Sequence, residues 1–267
     1  MINLNKALDL MERAAIDAGE FLVSMRPKIK RLESRKDFLT DANLGSEKII
    51  LSILAEAYPD IPSLSEERGG LELTEGYLWI IDPVDGTINF FLGDDHWGVS
   101  IALVENGHTI AGVVYLPSKG QLFSALRDMT ANLRVIGKDN EERLVLGVNE
   151  ESIMTNSQFW LGWGKEEHGG GDHEKVYSAI AKLDSSTLYP QIRNSAVADM
   201  MMVASGKIHG YVFLKPEPFD VAAAGFIIER AGGKVTEKDG TPWRAFSRSL
   251  VASNGILHKK LLTLINS

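Results

Sequence analysis

The spacing of apolar residues predicts that the chain begins with helices. Apolar residues recur at steps of three and four in the first segment, at Leu4, Leu8, Met11, Ala15, Ala18, Leu22 and Met25. This period lays one apolar stripe along a helix, which Pro27 would end. A second helix is predicted from about Ser46 to Ala57, where Tyr58-Pro59-Asp60 stops it.

Short segments rich in Val, Ile and aromatic residues follow, and such segments are typical of strands. The predicted strands are Tyr77–Ile81, Trp97–Val104, Ile110–Leu116 and Gln121–Leu126, with a continuation through Leu133–Ile136 and Leu144–Val148. Turn residues such as Asn106-Gly107 separate them.

The second half of the chain alternates between helical and strand patterns. Its predicted helices are His173–Leu183, Ala196–Ser205, Phe219–Ala231 and Leu257–Ile265. Its predicted strands are Leu188–Arg193, Ile208–Leu214 and Lys234–Glu237. We therefore predict an α+β half at residues 1–150 and an α/β half at residues 151–267, built from layers of helices and sheets.

Composition excludes several classes of protein. The 267 residues include 28 Lys plus Arg, 36 Asp plus Glu and no Cys, which gives a formal net charge of −8. The lack of cysteine excludes disulfides, thiolate nucleophiles and Cys-ligated metals, and the excess of acid disfavours nucleic acid as a partner. The N-terminus has no signal-peptide pattern, and the longest uncharged apolar stretch, Val221–Ile228, is too short to span a bilayer. We expect a cytoplasmic protein without a membrane partner.

Three acidic segments carry the candidate chemistry. They are Ser65-Glu66-Glu67, the turn Asp82-Pro83-Val84-Asp85-Gly86-Thr87 after an apolar strand, and Glu217-Pro218-Phe219-Asp220 at a helix start. Taken singly, each is typical of a helix cap or a solvated turn. Taken together, they offer the separated oxygen ligands that a hard divalent cation needs, and N–H groups at the Gly86 turn favour a phosphate. The residues predict a phosphate site bridged by Mg²⁺.

The spacing of this turn fits neither a calcium loop nor a phosphorylated aspartate. An EF-hand calcium loop that begins at Asp82 needs Glu at its twelfth position, where this chain has Gly93. The aspartyl-phosphate phosphatases also end a strand in Asp-Gly-Thr, but their nucleophile and acid/base follow an Asp-x-Asp pattern. Asp82 and Asp85 are one residue further apart, so we expect that they do not project together as that mechanism needs.

The segment from Trp79 to Phe90, WIIDPVDGTINF, resembles the signature of the inositol monophosphatase family, W-I-I-D-P-[IV]-D-G-T-x-N-F. Ser65-Glu66-Glu67 resembles the family's upstream Glu-Glu motif. Phe219–Ala224 with Ala231-Gly232-Gly233 resembles its downstream W-D-x-A-A-G…A-G-G motif. The resemblance runs from about residue 36 to 255. It implies a layered α/β/α/β/α sandwich of the sugar-phosphatase type and Mg²⁺-dependent hydrolysis of phosphate monoesters.

The resemblance also implies roles for individual residues. The residues implied to hold one Mg²⁺ are Glu66, Asp82, Thr87 and, through its backbone carbonyl, Val84. Those implied to hold a second Mg²⁺ are Asp82, Asp85 and Asp220. Those implied to contact the substrate are Gly86, Thr87, Asn194, Ser195, Ala196 and Asp220. The implied reaction is direct attack by a metal-activated water, and the residues implied in catalysis are Glu66, Asp82, Asp85, Thr87 and Asn43.

The chain departs from the family pattern at three positions. Asn43 stands where relatives have an Asp that hydrogen-bonds the motif threonine and helps to bind a third, weak Mg²⁺. Asn43 can hydrogen-bond Thr87 but carries no charge, so slower catalysis, loss of the third metal and replacement by Asp41 all stay open. Asn194 stands where relatives have Gly. Phe213 stands where inositol-selective relatives have a Glu that binds sugar hydroxyls. Replacement of that Glu by Glu217 or Lys215, and a purely structural role of Phe213 in a strand, both stay open.

The leading hypothesis from the sequence is hydrolysis of inositol monophosphate or a similar small polyol or sugar phosphate. Fructose-1,6-bisphosphatase, histidinol phosphatase and 3′-phosphoadenosine phosphatase activities share this chemistry and stay open. A hypothesis of another class is a metal- or phosphate-binding homologue that Asn43 impairs in catalysis. The resemblance further implies a homodimer.

Overall fold

The computed structural model describes residues 2–25, 35–70, 75–137, 143–162 and 173–267. The helices are α1 (Leu4–Met25), α2 (Arg35–Ala55), α3 (Thr87–Leu92), α4 (His173–Ser186), α5 (Ala196–Ala204), α6 (Pro218–Arg230) and α7 (His258–Asn266). The strands are β1 (Ser63–Ser65), β2 (Tyr77–Asp85), β3 (Gly98–Glu105), β4 (His108–Leu116), β5 (Gln121–Leu126), β6 (Asn132–Val135), β7 (Arg143–Val145), β8 (Gln158–Gly162), β9 (Leu188–Gln191), β10 (Gly210–Leu214), β11 (Lys234–Thr236) and β12 (Ser249–Ser253). None of the helices in these ranges combines the length and apolar character needed to cross a membrane.

The strands form two mixed sheets. The first follows chain order from β1 to β7, with β1 parallel to β2 and the other neighbours antiparallel. The second has the order β11-β12-β10-β8-β9, in which β8 is parallel to β9 and β10, and β12 is antiparallel to β10 and β11. The strands of the two sheets lie on either side of residue 150, while the division into halves there stays a prediction.

Helices cover both sheets and complete five layers. α1 and α2 pack on one face of the first sheet. α5 and α6 lie between the sheets, since α6 contacts β2 to β5 on one side and β11 and β12 on the other. α4 and α7 cover the outer face of the second sheet. The order is α/β/α/β/α, so the predicted layered fold is confirmed.

Strand β2 is apolar and buried on both faces along most of its length, and the polar residues of the site follow at its end. Trp79 and Ile81 pack toward α1 and α2, whereas Leu78 and Ile80 pack in the core between the sheets. Successive side chains on a strand point to opposite faces. Asp82, the next residue in this alternation, therefore falls on the inner face, toward α5 and α6.

The structure differs from the sequence predictions in three strands and two helices, since the pattern indicated only a turn where α3 lies. α2 begins at Arg35, whereas the pattern predicted a start at Ser46. The strands β1, β8 and β12 were not predicted. β8 and β12 are buried on both faces, so they lack the alternation of apolar and polar residues that marks a half-exposed strand.

Candidate active site

Asp82, Asp85 and Asp220 form an acidic cluster where the end of β2 meets the start of α6. One carboxylate oxygen from each residue lies within 4.8 Å of the other two. Asp82 and Asp85 are buried, and Asp220 is partly exposed. Across the described ranges, these three are the group of His and acidic side chains close enough to share one cation.

A β-bulge puts Asp82 and Asp85 on the same face of the first sheet. Asp82 pairs with Ser100 of β3 and Asp85 pairs with Gly98, so three steps along β2 match two steps along β3. Residues two apart on a strand share a face, so the extra residue turns both carboxylates toward α5 and α6. The bulge thus brings Asp82 and Asp85 together as the metal-site hypothesis expects, and the exclusion of an aspartyl-phosphate mechanism from their spacing stays a prediction.

The first turn of α5 holds the carboxylate of Asp85. The Ser195 hydroxyl donates a hydrogen bond to Oδ2, and the N–H groups of Ala196 and Val197 donate to Oδ1 and Oδ2 at 3.2 Å. Such N–H groups have no partner within their own helix and favour an anion. Ser195 also caps α5 by accepting a hydrogen bond from the N–H of Ala198. Asp85 is therefore fixed by residues more than a hundred positions later in the chain.

Local hydrogen bonds fix the other two aspartates. Asp220 lies in the first turn of α6, where its Oδ2 accepts a hydrogen bond from the N–H of Glu217 at 2.8 Å. Oδ1 of Asp82 accepts a hydrogen bond from the N–H of Val84 at 3.0 Å. Asp220 is therefore not the N-cap itself, which is Glu217, but the third residue of α6 that completes the capping box, and it also belongs to the acidic cluster.

Burial and like charge raise the pKa of all three aspartates. Desolvation is the main cause for each, and the negative charge of Glu66 adds to it. The pKa values of Asp82 and Asp220 lie well above the usual range, while the donors of α5 oppose the rise for Asp85, whose pKa is about 7. A cation among these oxygens would favour the ionised carboxylates. The residues therefore fit a divalent metal that takes oxygen ligands.

Glu66, in the turn after β1, is close enough for its charge to act on all three aspartates but lies outside the group within 4.8 Å, and Asn43 lies on α2. The N–H of Glu66 donates to the carbonyl of Ile81 at 3.4 Å, which ties this turn to β2. Nδ2 of Asn43 donates to Oε1 of Glu67 at 2.5 Å, and the buried Oδ1 of Asn43 has no hydrogen-bond partner. The hydrogen bond considered between Asn43 and the motif threonine is not made, because α2 directs Asn43 toward Glu67.

The turn after β2 requires glycine at position 86. Gly86 has a left-handed φ of +81°, and a Cβ there would lie 2.9 Å from Cβ of Ser195. The hydroxyl of Thr87, the first residue of α3, donates to the carbonyl of Val84 at 3.0 Å. These two groups, both implied as ligands of one Mg²⁺, therefore lie next to each other.

The backbone conformation at Asn194 explains which residues the segment from Asn194 to Ala196 accepts at that position. Asn194 has a left-handed φ of +57°, a conformation that favours Gly and that Asn tolerates better than most residues. This explains how Asn stands where the family pattern has Gly. The donors of Ser195 and Ala196 are used by Asp85, and contact of the segment with a substrate stays a prediction.

Phe213 offers no polar group to the site. It is buried in the core between the sheets, with its ring 6.2 Å from that of Tyr211 and nearly perpendicular to it. Phe213 therefore cannot make the contact with sugar hydroxyls that the resemblance implies for a Glu at this position.

Two functional neighbours on α2 were missed in the sequence. The hydroxyl of Ser46 donates to the carbonyl of Pro83 at 2.9 Å. Buried Glu47 accepts a hydrogen bond from the Ser65 hydroxyl and pairs with Arg68 at 2.6 Å. Their spacing of three and four residues from Asn43 puts them on one face of α2, and a helix predicted from Arg35 would have revealed this face.

Comparisons with known proteins agree over nearly the whole chain. A model of the inositol monophosphatase family matches residues 4–267. Fructose-1,6-bisphosphatase/inositol-1-monophosphatase of Thermotoga maritima is 28% identical over 265 residues, covering 97% of this chain and 95% of the relative. Nus factor SuhB of Pasteurella multocida is 30% identical over 267 residues, covering 98% and 96%.

A solved structure agrees as well. The inositol monophosphatase from Anabaena (Nostoc) sp. PCC 7120 matches with a TM-score of 0.84 at 30% identity, covering 99% of this chain and 97% of that one. The fold, the acidic cluster and the full-length matches thus lead to one conclusion. The chain belongs to the inositol monophosphatase family.

Proposed function

We propose that this protein is a Mg²⁺-dependent phosphomonoesterase that acts on inositol monophosphate or a similar small polyol or sugar phosphate. The observation that carries the proposal is the acidic cluster. It brings three carboxylates within 4.8 Å of one another, and burial raises the pKa of each. Such a cluster is unfavourable by itself and favourable around a divalent cation.

Two Mg²⁺ ions are part of the proposal. Asp82, Asp85 and Asp220 would hold one of them. Asp82 would share the other with Glu66, the Val84 carbonyl and the Thr87 hydroxyl. When bound, Mg²⁺ supplies Lewis acidity toward phosphoryl oxygens and lowers the pKa of water. A third, weak ion would lack the charged ligand that the family pattern has at the position of Asn43.

The side chains of the protein contribute through position and charge. α5 holds the Asp85 carboxylate in one orientation, and the capping bond does the same for Asp220. Preorganised groups of this kind need no rearrangement when charge develops on the phosphate. The N–H groups of Gly86 and Thr87 are predicted to donate to a phosphate oxygen.

The substrate is the least constrained part of the proposal. The names of the Thermotoga and Anabaena relatives support a small phosphate monoester. Phe213 is buried and apolar, so it disfavours an inositol-specific contact at that position. Fructose 1,6-bisphosphate, histidinol phosphate and 3′-phosphoadenosine phosphate therefore remain alternatives to inositol monophosphate.

A substrate panel tests the proposal. Phosphate release from these four compounds would be measured with Mg²⁺ and, as a blank, with EDTA. We expect Mg²⁺-dependent release and a preference for one small phosphate ester. A folded protein that binds Mg²⁺ but releases phosphate from none of them would refute the enzymatic function.

The impaired-homologue alternative depends on Asn43 and has its own test. An Asp at this position would face Glu67, replacing a 2.5 Å hydrogen bond by repulsion between two carboxylates. We therefore expect Asn43→Asp to leave kcat/KM within about threefold of the wild type, a difference under about 1 kcal/mol. A gain of tenfold or more would favour the impaired homologue, and Asn43→Ser serves as the uncharged control.

A further inference from the structure

A buried pair of titratable residues lies behind the acidic cluster and takes no part in the chemistry above. His96 is 1% exposed and Asp199 is 0% exposed. Nε2 of His96 and Oδ1 of Asp199 share a hydrogen bond of 2.6 Å. The other ring nitrogen of His96 and the other carboxylate oxygen of Asp199 have no hydrogen-bond partner. Among the described residues, the short bond between them is therefore the one polar contact that either side chain makes.

The pair connects the two segments that carry and hold Asp85. On one side, His96 precedes β3, and its carbonyl accepts a hydrogen bond from Nδ2 of Asn89 at 2.8 Å in the segment after β2. On the other side, Asp199 lies one turn along α5, and its N–H donates to the carbonyl of Ser195 at 3.0 Å. The bond thus ties α5 to the chain segment that follows the metal-binding turn.

The position of α5 matters because its first turn is the clamp on Asp85. The donors come from Ser195 to Val197, and both N–H donors lie at 3.2 Å from the carboxylate. Hydrogen bonds beyond about 3.5 Å are weak, so a shift of a few tenths of an ångström would weaken both of these bonds and leave the Ser195 hydroxyl as the main donor to Asp85. A contact that fixes α5 against β3 therefore acts directly on this clamp.

We propose that His96 and Asp199 are positioning residues that hold α5 against the metal-binding turn, keep Asp85 oriented and so set the affinity of the acidic cluster for a divalent cation. The inference rests on the proposed function only in taking Mg²⁺ as that cation. Partners that orient metal ligands typically change metal affinity 10- to 100-fold when they are removed.

A role in general stability accounts for the pair less well. Apolar side chains of similar size would fill the same space without burying two polar atoms that lack partners. A role as an extra charge also fits poorly. Burial raises the pKa of Asp199 and lowers the pKa of His96 to about 3, so both groups are disfavoured as separate ions. The remaining role is geometric.

Two substitutions at position 199 separate geometry from charge. Asp199→Asn removes the ionisable group but keeps a hydrogen bond, since an amide can donate to Nε2 or accept from it. Asp199→Leu removes the bond and keeps a similar volume. Mg²⁺ affinity of each folded variant would be measured by isothermal titration calorimetry. We expect Asp199→Leu to bind Mg²⁺ about 10- to 100-fold more weakly and Asp199→Asn to stay within about threefold of the wild type.

A second variant and a control complete the experiment. His96→Phe keeps a ring near Trp160, which lies 6.1 Å from the imidazole, and removes the bond from the other side. His96→Phe is expected to weaken Mg²⁺ binding to the same extent as Asp199→Leu. If Asp199→Leu does not fold, His96→Phe alone tests the inference. His258→Leu is the matched control, because it removes a buried His at the start of α7 that is hydrogen-bonded to the second sheet.

The outcomes distinguish this inference from the proposed function. Wild-type Mg²⁺ affinity in folded Asp199→Leu or His96→Phe would overturn the positioning role. An equal loss of affinity in His258→Leu would also overturn it, because general destabilisation would then be sufficient. A wild-type protein that binds no Mg²⁺ would instead refute the proposed function.

Discussion

Two of the buried polar clusters in the described part of this protein differ in how their polar atoms are satisfied. The His258 cluster (Thr236, Ser253 and His258) pairs each ring nitrogen with a hydroxyl oxygen at 2.9 Å. The acidic cluster instead brings three carboxylates together, and their pKa values are raised by burial and mutual charge. One cluster is satisfied by the protein alone, and the other becomes favourable with a cation.

The difference separates stability from function. A neutral, fully bonded cluster contributes to folding, and removing one member leaves polar groups without partners. A cluster of like charges opposes folding until a ligand neutralises it, and natural proteins keep such arrangements where they are needed for function. Substitutions in the acidic cluster should therefore change activity more than stability, and substitutions in the His258 cluster should do the reverse.

The largest expected effect is that of Asp82→Asn. Oδ1 of the amide can still accept the hydrogen bond from Val84, so the local fold is kept. Loss of the charge should lower kcat/KM at least ~1000-fold, or about 4 kcal/mol, because both proposed metal ions use this residue. The same change should stabilise the metal-free protein, because a neutral amide replaces a carboxyl group whose ionisation is opposed by burial and by neighbouring acidic residues.

The measurements for Asp82→Asn are steady-state kinetics in Mg²⁺ and urea unfolding in EDTA. His258→Leu is the control from the other cluster. Retained activity together with reduced stability in EDTA would reverse the assignment of the two clusters.

The next effect in size is stabilisation by Mg²⁺ itself. A ligand that binds only the folded state at a hundred times its Kd adds about 2.7 kcal/mol to the free energy of unfolding. For a chain of this length, that corresponds to a rise in Tm of roughly 5–10 °C, measured by scanning calorimetry with Mg²⁺ and with EDTA. The rise should persist in His258→Leu and disappear in Asp82→Asn. A rise that survives in Asp82→Asn would place the stabilising ion elsewhere.

Local sequence patterns were sufficient to mark the residues of the acidic cluster and to predict most of the helices and strands that build the layers. Asp82 and Asp85 follow an apolar strand and Asp220 starts a helix, so local patterns marked all three. Strand β2 was readable because Trp79 to Ile81 forms a continuous apolar run. Such signals come from neighbouring residues in the sequence, so they can be recognised without knowing how the rest of the chain folds.

The contacts that orient the cluster could not be predicted in the same way. The bulge in β2 depends on the register with β3. The donors to Asp85 and the bond between His96 and Asp199 join residues more than a hundred positions apart. Nothing in the local sequence marks His96, a single His in an acidic loop, as the partner of a helix in the other half. These features belong to tertiary packing, which periodicity does not report.

A smaller effect concerns the His258 cluster and its contribution to folding. His258→Leu should lower the free energy of unfolding by about 2 kcal/mol, because the Thr236 and Ser253 hydroxyls lose a buried partner. Mg²⁺ affinity and kcat should not change. Urea unfolding and kinetics test both statements, and a loss of activity without a loss of stability would contradict the comparison.

The smallest expected effect is a pH dependence of the difference in unfolding free energy between wild type and His258→Leu. Burial is the main cause that lowers the pKa of His258 to about 4, from an unperturbed value of 6.5, with Lys234 adding to it. A depressed His pKa gives stability that is fully present above the unfolded pKa and is lost as pH falls from about 6.5 toward 4, because the unfolded chain takes up the proton first. The wild type loses this stability at low pH, and His258→Leu does not.

The stability gap between wild type and His258→Leu should therefore narrow by roughly 1.8 kcal/mol between pH 7 and pH 5, so that it nearly closes. Taking the difference of the two proteins at each pH cancels the titration of His96 and of the acidic cluster, which both proteins share. Urea unfolding in EDTA at the two pH values measures it. A gap that stays constant or widens toward pH 5 would mean that His258 is not held neutral in the fold, and its cluster would then resemble the acidic one more closely than its hydrogen bonds indicate.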